Sequence, residues 1–129
     1  DLAPRWAVLV RPPQPLSTAA VFGAFPPARW SDGARTGAWI AASEGGRHVP
    51  PPFNDLEPVA LDLAPSAREA RDALRAAGGE AQALSGTGPT FFTLFEREAL
   101  AREAFSRLGE RYASGTGAIL SRFGSLAEA

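Results

Sequence analysis

A segment that is apolar on both of its faces, Thr90 to Phe95, restricts the fold of this chain more than any other. Such a pattern is typical of a central strand, because a strand at the surface of a sheet usually keeps one polar face. A shorter strand is predicted just before it, from Ala81 to Leu84, and a glycine-rich stretch separates the two. The chain is therefore expected to build its core around a sheet.

Two further strands are predicted, from Trp6 to Val10 and from Ala118 to Phe123. The helices predicted between the strands begin and end at about Ser17–Phe25, Thr36–Ala42, Asn54–Leu63, Pro65–Ala77 and Arg97–Tyr112. The stretch of residues 26–52 is rich in proline and glycine, and we interpret it as a variable connection. This order predicts the α+β class: a ferredoxin-like split βαβ sandwich with a four-stranded antiparallel sheet and helices on one face.

Composition limits both the size and the partners of the chain. A length of 129 residues with 45% hydrophobic residues suits a single domain. The net charge of −1 disfavours binding to nucleic acid or to an anionic membrane, so neither is expected as a partner. The absence of cysteine excludes thiolate chemistry, and every basic residue is arginine, which excludes lysine chemistry. We expect no metal site in this chain and a cytoplasmic location.

The glycine-rich stretch between the two central strands is the strongest candidate site. Two glycines in close succession let backbone N–H groups turn toward one point, which can bind a phosphate without a charged side chain. A tight connection between strands explains the same pattern, and the Gly-Lys-Ser/Thr ending of a Walker loop is absent. The residues of this candidate loop are Ser85, Gly86, Thr87, Gly88 and Pro89.

A second motif lies at the start of a predicted helix. Asn54 and Glu57 have the identities of a capping box, in which each side chain binds a backbone N–H of the first turn. This predicts a structural role for both residues. His48 lies in the variable connection and is expected to be a solvated loop residue, and the three tryptophans are interpreted as packing residues.

Together these motifs resemble the C-terminal domain of the GHMP kinases. Leu84 to Phe95 is similar to the form L-[ST]-G-[ST]-G-P-T plus an apolar strand in the 4-diphosphocytidyl-2-C-methyl-D-erythritol kinases of non-mevalonate isoprenoid synthesis. Asn54-Asp55-Leu56-Glu57-Pro58 resembles their N-D-x-E-P motif at a similar interval. A weaker likeness to V-x-x-[PS]-T-x-x-x-[FY] covers Leu16 to Phe22, where Ala19 departs from the usual proline.

The resemblance implies a division of roles. Residues 85–89 would lie on the phosphate side of ATP, and Thr18, Ala19 and Phe22 would face the cytidine-bearing substrate. Phe22 has an alternative, since an aromatic ring on a helix is commonly part of the core. ATP with Mg²⁺ would be bound mainly by an N-terminal domain that also holds the catalytic residues, and that domain is absent from this sequence. The chain alone is therefore expected to be inactive, with its own N-terminal kinase domain and a small-molecule substrate as partners.

Two other functions remain open at this point. One is another GHMP kinase, of the homoserine or mevalonate type. The other is a stand-alone ferredoxin-like module whose glycine loop binds a small anion without catalysis.

Overall fold

The computed structural model describes residues 5–44, 50–79, 81–111 and 118–123, the last six and residues 110 and 111 by their backbone alone. The strands are β1 (Arg5–Val10), β2 (Gln82–Leu84), β3 (Phe91–Phe95) and β4 (Ala118–Phe123). The helices are α1 (Thr18–Ala24), α2 (Ala34–Glu44), α3 (Glu57–Leu63), α4 (Pro65–Ala76) and α5 (Glu98–Arg111). None of these described helices has both the length and the apolar character needed to cross a membrane.

The strands form one antiparallel sheet in the order β2-β3-β1-β4. The register places Thr93 of β3 opposite Val8 of β1 on one side and Gln82 of β2 on the other. The inner position of β3 agrees with its apolar sequence on both faces. The predicted α+β class with an antiparallel sheet is confirmed.

Helices α4 and α5 pack on this sheet and share one core with it. Their buried positions are mostly alanine, whose small side chain lets a helix lie close to its neighbours. The predicted core face of α4 is buried at Ala67, Ala70 and Leu74, and that of α5 at Ala101, Ala104 and Leu108. The sheet residues of the same cluster are Val8, Val10, Leu84, Phe91 and Phe95. Tyr112, the predicted end of α5, lies outside the described residues.

The segment between α1 and α3 holds more helix than its composition predicts. A 3₁₀ turn at Pro27–Arg29 follows α1, and α2 is longer than the helix predicted from Thr36 to Ala42. No residue of α2 is buried, so the described part of the chain gives this helix little support. The indole Nε1 of Trp39 donates to the carbonyl oxygen of Pro50 at 3.1 Å and ties the helix to the chain before α3.

The turn after α4 brings the backbone very close to β3. Gly78 has φ 89°, a conformation suited to the residue that ends a helix. At Gly79 a Cβ atom would lie 1.7 Å from Oγ1 of the buried Thr93, so only glycine fits against β3 at this point. This close approach holds the end of the turn against β3.

Candidate functional site

The glycine-rich loop of residues 85–89 connects β2 to β3. Gly86 has φ 59° and Gly88 has φ 84°, so both glycines adopt the left-handed conformation that other residues rarely take. The Ser85 N–H donates to the Thr90 carbonyl at 2.9 Å, and the Gly88 N–H donates to the Ser85 carbonyl at 3.0 Å. These two bonds close the loop at its base and leave Gly86 and Thr87 at its tip.

The two glycines are required for different reasons. A Cβ on Gly86 would meet no atom within 4 Å, so only its backbone conformation calls for glycine. A Cβ on Gly88 would also lie 2.8 Å from Cδ1 of Leu84 and 3.3 Å from Cδ1 of Leu16. Gly88 is therefore held by packing as well as by its positive φ.

The tip of the loop offers hydrogen-bond donors. Among the residues that the structure describes, neither the Gly86 N–H nor the Thr87 N–H has an acceptor. Consecutive N–H groups around a residue with left-handed φ are the arrangement that binds anions in many proteins. The loop therefore has the backbone features of an anion site.

Asn54 reaches this loop from the start of α3. Its side-chain Nδ2 donates to the carbonyl oxygens of Leu84 at 3.0 Å and of Gly86 at 2.7 Å. Its Oδ1 accepts from the Leu56 N–H at 2.9 Å, which forms a local turn before the helix. One amide group therefore joins the start of α3 to the end of β2 and to the tip of the loop.

The predicted capping box of Asn54 and Glu57 is wrong. Leu56 occupies the cap position of α3, and no side chain caps the helix. The Glu57 N–H donates to the backbone carbonyl of Asn54 at 3.0 Å, and the Glu57 carboxylate accepts from the Leu84 N–H at 3.4 Å instead of turning back on its own helix. The physical reason is that β2 and the glycine loop lie within reach and supply backbone partners that the sequence spacing does not show.

Glu57 is held in place from the other side by Arg71. The guanidinium Nη1 of Arg71 lies 3.8 Å from Oε1 of Glu57, and both side chains are largely shielded from solvent. Asp72 lies 3.2 Å from Nη2 of the same arginine. The role of Arg71 is not apparent in the sequence, because its position on α4 looks like part of a charged outer face.

Helix α1 brings a third segment to the loop. Ser17 caps the helix, since its Oγ accepts from the Ala20 N–H at 3.3 Å. The hydroxyl oxygens of Thr18 and Thr87 lie at hydrogen-bonding distance, 3.1 Å. The first residue of α1 is therefore next to the tip of the loop, while Ala19 is exposed to solvent.

Phe22 is exposed, so the alternative in which its ring is part of the core is wrong. Its fractional exposure is 58%, whereas the preceding Val21 is fully buried. The ring lines an open cavity of about 320 Å³ together with Phe25, Trp30, Ser31, Asp55 and Leu56. Trp30 is 74% exposed, which also corrects its interpretation as a packing residue.

A second, larger cavity of about 530 Å³ lies beside Asn54 and Glu57. Three arginines line it, Arg35, Arg68 and Arg71, and each faces a carboxylate, Asp55, Asp62 and Glu57 respectively. Asp55 pairs with Arg35 from the side of the smaller cavity and forms no bond with the glycine loop in the described residues. The ion pairs balance the positive charge of the cavity.

The structure thus brings Asn54, Glu57 and Thr18 to the glycine loop and keeps Asp55 apart from it. His48 lies outside the described residues. The proximity of Leu16 to Gly88 does not follow from the sequence, because it depends on how the segment after β1 and the loop meet in space.

The chain is similar in sequence to a known family of enzymes. Residues 32–114 match the family model described as GHMP kinases C terminal. The chain is 32% identical over 109 residues to the 4-diphosphocytidyl-2-C-methyl-D-erythritol kinase of Brevibacillus brevis, a match that covers 82% of this chain and 37% of that protein. It is 41% identical over 104 residues to the protein of the same name from Methylorubrum extorquens, covering 76% of this chain and 36% of the relative.

Two solved structures are similar in fold. A crystal structure of 4-(cytidine 5'-diphospho)-2C-methyl-D-erythritol kinase aligns with a TM-score of 0.73 and 31% identity, over 96% of this chain and 45% of that one. A homoserine kinase from Cytophaga hutchinsonii aligns with a TM-score of 0.62 and 17% identity, over 95% of this chain and 42% of the other. The chain spans about a third of the length of the curated relatives, 37% and 36% for two of them.

Proposed function

Because the chain belongs to the GHMP kinases, whose C-terminal family model it matches, we propose that it is the C-terminal part of an ATP-dependent small-molecule kinase. Its substrate is the alcohol 4-diphosphocytidyl-2-C-methyl-D-erythritol, and its pathway is non-mevalonate isoprenoid synthesis. The names of the relatives at 32% to 41% identity support this substrate over homoserine or mevalonate. The homoserine kinase at 17% identity supports the fold alone.

Residues 1–129 form one C-terminal domain of the ferredoxin-like type, with residues 26–52 as its variable connection. The strand order β2-β3-β1-β4 supports this assignment, because the split βαβ plan places the first and third strands side by side in the middle of the sheet. An N-terminal domain completes the enzyme. The chain covers only 37% and 36% of the length of two relatives, which supports the presence of such a domain.

The glycine loop is the phosphate-side element of this domain. The observation that carries this role is the pair of N–H groups at Gly86 and Thr87, which have no acceptor within the described residues, in a loop with two left-handed glycines. Backbone donors of this kind bind phosphate oxygens and stabilise the charge that spreads over them during transfer. Ser85 closes the base of the loop through its bonds with Thr90 and Gly88, and Pro89 is the last residue of the loop.

Thr18, Ala19 and Phe22 form the substrate side. The exposed ring of Phe22 stacks on the cytosine base, since an aromatic side chain open to solvent is a good platform for a nucleobase. The Thr18 hydroxyl, at 3.1 Å from that of Thr87, joins the substrate side to the phosphate side. The chain therefore positions both reactants.

The N-terminal domain supplies the catalytic residues and binds most of ATP and Mg²⁺. Bound ATP supplies the phosphoryl group, and the substrate hydroxyl accepts it. Phosphoryl transfer depends mainly on positioning and on charge stabilisation. Residues 85–89 contribute to positioning and to charge stabilisation on the side of the active-site cleft that this chain forms.

The experiment that tests this function compares three alcohols. The longer protein is assayed with ATP and Mg²⁺ for ADP release in the presence of 4-diphosphocytidyl-2-C-methyl-D-erythritol, homoserine or mevalonate. We expect turnover with the first alcohol only. Turnover with homoserine or mevalonate would assign the chain to another GHMP kinase, and no turnover with any of them would leave the anion-binding module as the better account.

A further inference from the structure

The direction of the Thr87 N–H depends on the side chain of Asn54. The carbonyl of Gly86 and the N–H of Thr87 belong to one trans peptide group, and in a planar trans peptide these two groups point in opposite directions. Asn54 Nδ2 holds the Gly86 carbonyl at 2.7 Å. The Thr87 N–H therefore points away from Asn54.

The Leu84–Ser85 peptide, two peptide groups earlier, is fixed at both of its ends, and the Gly86–Thr87 peptide is not. The Leu84 carbonyl accepts from Asn54 at 3.0 Å, and the Ser85 N–H of the same peptide donates to Thr90. The Gly86–Thr87 peptide is held only at its carbonyl, because its N–H has no acceptor in the described part of the chain. Glycine lowers the barrier to rotation of the peptide that follows it, so this carbonyl bond decides which way the N–H faces.

We propose that Asn54 is a positioning residue that locks the Gly86–Thr87 peptide with its N–H directed at a phosphate of ATP. Glu57 supports the same lock, since its carboxylate accepts from the Leu84 N–H and its other oxygen faces Arg71 at 3.8 Å. The motif Asn54–Glu57 thus acts on the loop rather than on its own helix. The proposal rests on the proposed function, because it takes the ligand of the loop to be the phosphate chain of ATP.

The test uses two substitutions in the longer protein. Asn54→Asp removes the donor and keeps the acceptor for Leu56, while Asn54→Leu removes both without adding a charge. A loss of activity that both variants share is therefore caused by the removal of the Nδ2 donor. Glu103→Gln, on the exposed face of α5, is the control variant, because its partner Arg107 lies on the same helix and away from the loop.

We expect kcat/KM for ATP to fall about tenfold or more in both Asn54 variants, the loss typical of a hydrogen bond to a charged group. The KM for the alcohol should stay within about twofold of the wild-type value, because the Phe22 side does not change. A purely structural role would lower the melting temperature and leave the KM for ATP unchanged. That pattern would overturn the proposal.

A second readout does not depend on turnover. In protein labelled with ¹⁵N at threonine, the Thr87 amide resonance should shift on saturation with ATP in the wild type and in Glu103→Gln, and far less in both Asn54 variants. An equal shift in all four proteins would contradict the proposed role of Asn54, even if the longer protein is a kinase. A wild type that shows the shift but no phosphorylation of any alcohol would instead contradict the proposed function.

Discussion

The side-chain oxygens of Thr18 and Thr87 lie 3.1 Å apart, although 69 positions separate them in the chain. The first residue of α1 and the tip of the glycine loop therefore meet at one point. This contact is exposed, so its contribution to stability is small, about 0.5 to 1 kcal/mol. Its importance is geometric, because it joins the two segments that we assign to the two reactants.

Replacing Thr18 by valine tests this contact. The substitution keeps the shape of the side chain and removes the hydroxyl, so we expect turnover to fall several-fold with a stability loss of less than about 1 kcal/mol. Thr87→Val should have a similar effect, and the double variant should lose no more than either single one. Additive kinetic losses in this double-mutant cycle would show that the two hydroxyls act independently.

Substitutions at two adjacent residues of α1 should have different effects, one on substrate binding and the other on stability. Phe22 is exposed and Val21 is buried. We expect Phe22→Ala to raise the KM for the cytidine-bearing substrate by between about fivefold and about 150-fold, because stacking on a base is worth about 1 to 3 kcal/mol, and to change stability little. Val21→Ala should cost about 2 kcal/mol of unfolding free energy and leave the KM of the folded protein unchanged. Urea unfolding and steady-state kinetics on both variants decide this, and the reverse pattern would place Phe22 in the core.

Gly88 is the most constrained position of the loop. Gly88→Val should reduce turnover sharply, since a branched residue resists φ 84° and its Cβ would lie 2.8 Å from Leu84. His48→Ala, in the variable connection, should leave turnover nearly unchanged. Circular dichroism checks that both variants fold. A folded Gly88→Val enzyme with full activity would remove the loop from the mechanism.

The glycine pair after α4 gives a prediction about stability alone. Gly78→Ala should cost about 1 kcal/mol, because its φ of 89° is strained for alanine although the space around it is open. Gly79→Ala should cost more, about 3 kcal/mol, because its Cβ would overlap Thr93 inside the fold. Chemical denaturation of the two variants measures the difference. Equal losses would mean that the turn moves away from β3 without cost.

The sequence predicts the elements better than the contacts between them. Periodicity and glycine positions locate α4, α5 and β3, since burial of an alanine face or of an apolar strand follows directly from residue spacing. The spacing of Asn54 and Glu57 predicts a capping box, but their side chains bind backbone groups about 30 positions away. Local spacing carries no information about which distant carbonyl will come within reach, and so the lock on the glycine loop appears only in three dimensions.

The exposure of Phe22 could not be predicted from the sequence either. Val21 and Phe22 are adjacent apolar residues on one short helix, and the sequence alone leaves both the core and the surface open for Phe22. In the structure only one side of α1 packs against α3, so Val21 is buried and Phe22 is exposed. The roles of these residues in binding stay predictions.

Turnover by residues 1–129 alone, compared with turnover by the longer protein, tests the central claim most directly. Both are assayed with ATP, Mg²⁺ and 4-diphosphocytidyl-2-C-methyl-D-erythritol under the same conditions. We expect phosphorylation by the longer protein and none by the 129 residues, because positioning on one side of the cleft does not replace an ATP site and its catalytic groups. Substantial turnover by the 129 residues alone, or none by the longer protein, would contradict the account of this chain as one part of a kinase.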